Sequence, residues 1–340
     1  MENIINNKTQ NILDISNLEI GYPNSTNGNK SIFSNLNLSA YKGELIALVG
    51  QNGIGKSTLL RNITGIQKAI NGNINLLGKN INKYHRSEFA QKVSFVSTDI
   101  VKVANLKVYD IVALGRFPHT NWFGKIKDID QYKIENALEL VGMSKFKNKN
   151  ITEISDGERQ RVMIARTIAQ DTELIILDEP TAFLDLPNKY EIVHLLNTLA
   201  KDEKKTIIFS SHDLNIAIQE VDKIWLMLEN QVYEGAPEDL IINNIFDKLF
   251  ESSKLYFDKN NGDFKINRKR NNRIGLVAKN DNLLLWTKKA LERMHFSVEV
   301  NKANIPYVEV YNNKWIFKNS DKNIKFNSIY NLSLHLKSII

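Results

Sequence analysis

The run Gly50-Gln51-Asn52-Gly53-Ile54-Gly55-Lys56-Ser57-Thr58 constrains this chain more than any other feature: two glycines bracket four residues ahead of Lys-Ser. Glycine accepts backbone angles that other residues resist, so such a turn can aim successive N–H groups inward at an anion. The apolar run Gly43–Gly50 before it reads as a buried strand, and Lys56–Ile63 after it reads as a helix that Gly65 ends. That helix would point its positive end at the same anion. Lys56 supplies a charge for the β- and γ-phosphates of a nucleoside triphosphate, and Ser57 a hydroxyl for Mg2+.

A second segment fits the same chemistry. Leu174–Leu177 is an apolar strand followed by Asp178 and Glu179. In an open α/β sheet the C-terminal ends of the strands face the ligand crevice. Asp178 suits Mg2+, held directly or through water, and Glu179 suits the general base acting on water. Alone, an Asp-Glu pair after a strand is a solvated loop; downstream of a phosphate-binding loop it reads as catalytic.

Strand-like segments at Ile12–Ile20, Leu174–Leu177 and Thr206–Ser210 alternate with helix-like ones, including Tyr190–Ala200 and a mostly helical stretch from Val108 to Asn150. This predicts an α/β fold with a largely parallel sheet. The region after about residue 255 reads differently, as a small α+β domain reached through the basic, Asn-rich stretch Asp258–Asn272. It holds an amphipathic helix at Asn282–Met294, a strand at Tyr307–Tyr311, a turn at Asn312-Asn313 and a strand at Lys314–Phe317. Leu283, Leu284, Trp286, Ala290, Leu291 and Met294 read as the packed face of that helix, with Trp286 and Trp315 in the core.

Composition narrows the function classes. The chain has no cysteine, which excludes disulfides and thiolate metal sites. No apolar stretch approaches the roughly 18 residues of a membrane-spanning helix, and the start MENIINNKTQ lacks the order of a secretory signal. The net charge of +7 is concentrated in the tail, where Glu251 to Ile340 carries 17 Lys and Arg against 8 Asp and Glu. No nucleic-acid motif accompanies it, so a solvated lysine-rich face is expected, with attraction to anionic lipid headgroups as the functional alternative, and nucleic acid is not expected.

Several further segments carry a family resemblance. Ile154-Ser-Asp-Gly-Glu-Arg-Gln160 resembles the signature sequence of ABC transporter ATPases, and it precedes the acidic strand as it does in that family. Asp185 looks like the D-loop aspartate, His212 like the switch histidine, and Tyr22 like the aromatic that stacks on adenine. The resemblance spans about residues 11 to 250. It implies a P-loop NTPase cassette with a mixed sheet and a helical subdomain (about 99–165) within residues 1–254, followed by a basic domain of unknown role over 255–340. It further implies ATP and Mg2+ as cofactors, and a homodimer in which each ATP lies between one subunit's loop Gly50–Thr58 and the other's Ser155, Gly157 and Glu158. Two transmembrane permease subunits and an external substrate-binding protein would complete an importer, with this chain peripheral on the cytoplasmic membrane face. The segment Leu114-Gly-Arg-Phe-Pro-His119 is similar to one in importers of iron–siderophore complexes, haem and cobalamin. A soluble ABC ATPase acting on ribosomes or DNA is the alternative, disfavoured by a single cassette with no long heptad run.

Two positions depart from the family pattern. Thr98 stands where a glutamine normally reaches the Mg2+ and the water, so Thr98 is expected to act through a bridging water, or Asp99 to compensate. Asp156 stands where the signature has glycine. A carboxylate aimed at a triphosphate would be repelled, so Asp156 is expected to point away and cap its own helix.

Overall fold

The computed structural model describes residues 10–22, 30–98, 105–120, 124–229, 231–251, 253–259, 262–269, 272–303, 306–320 and 322–339. Asp99 lies outside them, as do residues 23–29 of the connection after Tyr22 and parts of the basic link. The chain divides into two compact units, one ending at Leu249 and one beginning at Phe250.

In the first unit, strands Leu174–Leu177 and Thr206–Ser211 are buried along their whole length, as strands covered on both faces must be. They belong to a six-stranded sheet in the order 231–235, 223–228, 45–50, 206–211, 174–177, 93–96, parallel except for the first strand. A four-stranded antiparallel sheet is built on the long hairpin Asn11–Tyr22 and Lys30–Tyr41. One apolar cluster joins the two sheets: Leu13, Ile15 and Leu38 from the antiparallel sheet, Ile46, Ile176 and Trp225 from the parallel one, and Leu59 and Ile63 from helix Lys56–Ile63. The middle of the unit is helical, with Val108–Ala113, Asp128–Leu140 and Asp156–Ala169 packing on one another.

Within that helical part the turn Leu114–His119 is held from beneath. A Cβ on Gly115 would sit 2.2 Å from the Arg166 carbonyl oxygen, so only glycine allows this approach. Arg116 is buried; its Nε donates to Asp130 Oδ1 (2.9 Å) and its guanidinium to the Ala169 carbonyl (2.8 Å). Burial pushes the Asp130 carboxyl up, but the Lys127 N–H and the Arg116 guanidinium outweigh it and hold it below the usual carboxylate range. Leu114 and Phe117 face outward between these anchors, with Phe117 72% exposed.

The second unit has a five-stranded sheet in the order 296–300, 272–278, 307–311, 314–319, 322–326. Its first three strands are parallel and the rest form an antiparallel meander. Helices Asp281–Arg293 and Ile329–Ser338 contribute Leu291, Leu332 and Leu336 to its core, alongside Ile274, Val308 and Trp315. Asn312 and Asn313 both adopt positive φ, 48° and 56°, as a tight two-residue hairpin turn requires. Trp315 is in the core and its indole N–H donates to Thr287 Oγ1 (2.8 Å). Trp286 is not: it is 58% exposed. The helix buries Thr287, Ala290 and Leu291, with Leu283 and Leu284 half-buried against the core, and Trp286 falls outside that stripe on the neighbouring face.

Candidate active site

Three neighbouring parallel strands end at one place. Strand Leu45–Gly50 delivers the glycine loop, Leu174–Leu177 delivers Asp178 and Glu179, and Thr206–Ser211 delivers His212. Gly53 (φ 77°) and Gly55 (φ 118°) take the positive angles that the loop needs, and helix Lys56–Ile63 starts directly behind it. Asn52 lies at the exposed tip of the loop, Ser57 in the first helical turn, and Thr58 beneath, 3.3 Å from the Tyr22 hydroxyl.

The Lys56 side chain is only 5% exposed and curls back over its own loop. Its Nζ donates to the carbonyls of Gly50 (2.9 Å) and Gln51 (3.1 Å) and lies 3.4 Å from His212 Nδ1. Burial holds the Lys56 ammonium below the usual lysine range, against the opposing pull of Glu179 and Asp178. His212 Nε2 lies 2.5 Å from Glu179 Oε1. An ammonium has only protons to give, so Nδ1 accepts from Lys56, and the Nε2–H donates to the Glu179 carboxylate.

Ser210 holds the two carboxylates in place. Its buried hydroxyl donates to Asp178 Oδ1 (2.7 Å) and accepts the Glu179 backbone N–H (2.7 Å). Among the described residues no hydrogen bond or ion pair engages the second Asp178 oxygen. Glu179 itself has φ of 53°, a conformation uncommon for a residue with a side chain, and here it carries the candidate base. The role of Ser210 was missed in the sequence; the signal available was a polar residue closing an otherwise apolar strand. Thr98 Oγ1 donates to the Asp178 carbonyl (3.1 Å), so its hydroxyl braces the backbone that carries this carboxylate.

Helix Asp156–Ala169 begins with a reciprocal cap. The Glu158 N–H donates to Ser155 Oγ (3.3 Å), and Glu158 Oε2 accepts from the Ser155 N–H (2.8 Å). These bonds from Ser155 hold the Glu158 carboxyl below its usual range. The expected cap by Asp156 is corrected: Ser155, extended at φ −66° and ψ 165°, accepts the Glu158 N–H of the first turn. Asp156 is already helical; it pairs with Arg159, where its charge still favours the positive helix end. Asp156 and Arg159 share a small cavity of about 50 Å³ with Thr98 and Glu179. Gly157 lies against Asn188, whose N–H donates to Asp185, the cap of helix Leu186–Lys201.

Comparison with known proteins agrees with this geometry. Residues 33–182 match the ABC transporter family and residues 271–337 match the iron ABC transporter C-terminal domain. The iron(3+)-hydroxamate import ATP-binding protein FhuC of Bacillus subtilis is 36% identical over 71% of this chain and 88% of its own length. The petrobactin import ATP-binding protein FpuD of Bacillus anthracis is 34% identical over 71% of this chain and 87% of its own. Among solved structures, a metal-chelate type ABC transporter in an inward-facing conformation superposes with a TM-score of 0.62 at 31% identity, covering 75% of this chain and 95% of that one. The chain thus belongs to the ATP-binding proteins of ABC transporters, which are ATPases.

Proposed function

We propose that this chain powers an importer of iron–siderophore complexes, hydrolysing ATP at the site formed by Lys56, Asp178, Glu179 and His212. The observation that carries the chemistry is the meeting of these four side chains at the C-terminal ends of adjacent parallel strands. The cargo class is supported by the import proteins to which the chain is similar and by the match of residues 271–337 to an iron-transporter domain.

The loop Gly50–Thr58 and Lys56 bind the phosphates, with Tyr22 against the adenine. Lys56 already rests on carbonyls of the loop, so binding means exchanging those acceptors for phosphate oxygens. Ser57 and the open oxygen of Asp178 would hold Mg2+, which neutralises phosphate charge, and Thr98 supports Asp178. Glu179 takes the proton of the attacking water, and the His212 Nε2–H orients its carboxylate. Ser155, Gly157 and Glu158 of one subunit would meet the ATP held by a second copy, with Asp185 linking the sites. The exposed Leu114 and Phe117, anchored by Arg116, would receive a transmembrane permease. No helix among the described residues is long and apolar enough to cross a membrane, so the channel belongs to partner chains. An external substrate-binding protein would complete the system.

The test is Mg2+-ATP hydrolysis by the purified chain, and ATP-driven uptake of a ferric hydroxamate by proteoliposomes holding it with its permease. Uptake of cobalamin or haem but not the ferric chelate would overturn the cargo. Absence of hydrolysis with the permease present would overturn the function. Thr98→Gln should alter the hydrolysis rate if reach toward Mg2+ is limiting; an unchanged rate would show that neither that reach nor the Thr98 hydroxyl limits the reaction.

A further inference from the structure

The second unit carries a groove of about 710 Å³ lined by four cations, Lys265, Arg268, Lys289 and Arg293, and two carboxylates, Asp263 and Glu292. One wall is formed by helix Asp281–Arg293 along the edge of its buried stripe, where Ala290 is buried and Trp286, Lys289 and Arg293 are exposed. Trp286, Lys289, Ala290 and Arg293 stand at i, i+3, i+4 and i+7, so their side chains share one stripe. The small Ala290 forms the floor. Strand Asp263–Ile266 and Arg268 make the opposite wall, and Ile329 closes one end.

The charges in the groove are unequally satisfied. Lys265 is bound by Asp258, and Glu292 adds to the field that holds it. Arg268, Lys289 and Arg293 have no ion pair among the described residues; Arg268 donates only to the Arg293 carbonyl (3.3 Å). Lys289 Nζ lies 5.1 Å from the Trp286 ring centroid, so a cation and a broad aromatic face are presented together. A solvated lysine face does not need an exposed indole or a concave shape. The volume falls within the roughly 300–1,000 Å³ of small-molecule pockets.

We infer that this groove binds a small, multiply charged anion with a planar aromatic face, the chemistry of a ferric catecholate. Trp286 stacks on the aromatic face, and Arg268, Lys289 and Arg293 neutralise the charge. The choice of an iron chelate rests on the transport reading; the anionic and aromatic requirements rest on the groove alone.

The experiment is equilibrium dialysis of the full chain against the ferric tris-catecholate trianion. Binding should weaken by roughly tenfold or more in Trp286→Ala and in Arg293→Gln, and Trp286→Phe should restore most of the loss. Citrate, an anion without an aromatic face, should bind more weakly than the catecholate. These side chains are exposed, and circular dichroism melting confirms that each variant is folded. No binding, binding indifferent to both substitutions, or equal binding of citrate would overturn the inference. So would failure of the trianion alongside co-sedimentation with phosphatidylglycerol vesicles that the same substitutions abolish. Wild-type ATP hydrolysis separates the two claims: hydrolysis without chelate binding removes only the groove, and binding without hydrolysis removes only the transport function.

Discussion

The cassette and the C-terminal unit both gather charged side chains, but they treat them differently. In the cassette, Lys56, His212, Glu179, Ser210 and Asp178 are bonded to one another, and each fixes the position or tautomer of the next. In the C-terminal groove, Arg268, Lys289 and Arg293 lie near one another with no carboxylate paired to them among the described residues. The first arrangement is preorganised, as transition-state stabilisation requires. The second is receptive, with charge left for something else to neutralise. A substitution in the cassette site should therefore act through geometry and rate, and one in the C-terminal unit through its own stability or binding.

The sharpest test of that contrast is Glu179→Gln. The amide keeps the shape and can still accept from His212 Nε2–H, but it cannot take a proton from water. Hydrolysis should fall by about 10²–10⁴-fold, while ATP binding persists and dimers accumulate in size-exclusion chromatography with ATP. A rate within threefold of wild type would remove Glu179 as the base. Ser210→Ala should cost less, with about 1–3 kcal/mol of stability lost because the Glu179 N–H is left unsatisfied in a buried site.

The next effect concerns stability. Removing one member of a buried ion pair costs about 3–5 kcal/mol, because the other charge is stranded. Arg116→Met should show this in chemical denaturation, and the paired replacement with Asp130→Leu should recover much of it. The pH dependence follows from the lowered carboxyl of Asp130. Its contribution is complete above the unfolded pKa of about 4 and is lost as pH falls through the lower folded value. Arg116→Met should therefore flatten the acid limb of the stability curve; an unchanged limb would assign acid sensitivity to other groups.

Why the two units differ in legibility follows from the same physics. The loop at Gly50–Thr58 was readable because its backbone geometry demands glycine at set positions, and strand Leu174–Leu177 because burial on both faces demands an unbroken apolar run. Ser210 was not, since a polar residue closing an apolar strand does not name its partner until the neighbouring strand brings Asp178 within 2.7 Å. The pairing of Arg116 with Asp130 was hidden for a similar reason: the partner comes from a separate helix. In the C-terminal unit helix Asp281–Arg293 and strands Tyr307–Tyr311 and Lys314–Asn319 were readable, but strands Asn272–Ala278 and Lys322–Phe326 and helix Ile329–Ser338 were not. The stretch read as a link holds strand Asp263–Ile266, paired with Leu255–Asp258. The parallel pairing of Asn272–Ala278 with both Phe296–Val300 and Tyr307–Tyr311 is non-local and left no periodic trace. Trp286 was misjudged because it sits one position beside the buried stripe, where an amphipathic pattern cannot separate edge from core.

Trp315→Phe probes the independence of the units. It keeps the packed ring but leaves the buried Thr287 hydroxyl without its partner, at a cost of about 1–3 kcal/mol. Protection of amides in strands 307–311 and 314–319 should fall in hydrogen exchange, while the ATPase rate stays within twofold. A parallel loss of ATPase activity would show that C-terminal packing supports the catalytic geometry, and the contrast between the units would fail.

Asp156→Ala carries the smallest expected effect. Asp156 is a cassette residue that resembles the C-terminal charges in being exposed, yet it has a partner in Arg159. Losing an acidic side chain from the first turn of a helix, together with one surface pair, costs about 0.3–1 kcal/mol. The cap itself survives, because Ser155 and Glu158 make it. Thermal unfolding should shift by a few degrees at most, and hydrolysis should change less than threefold. A drop of tenfold or more in hydrolysis with unchanged stability would mean that the carboxylate acts at the nucleotide rather than at the helix end. Asp156 would then belong with the preorganised groups.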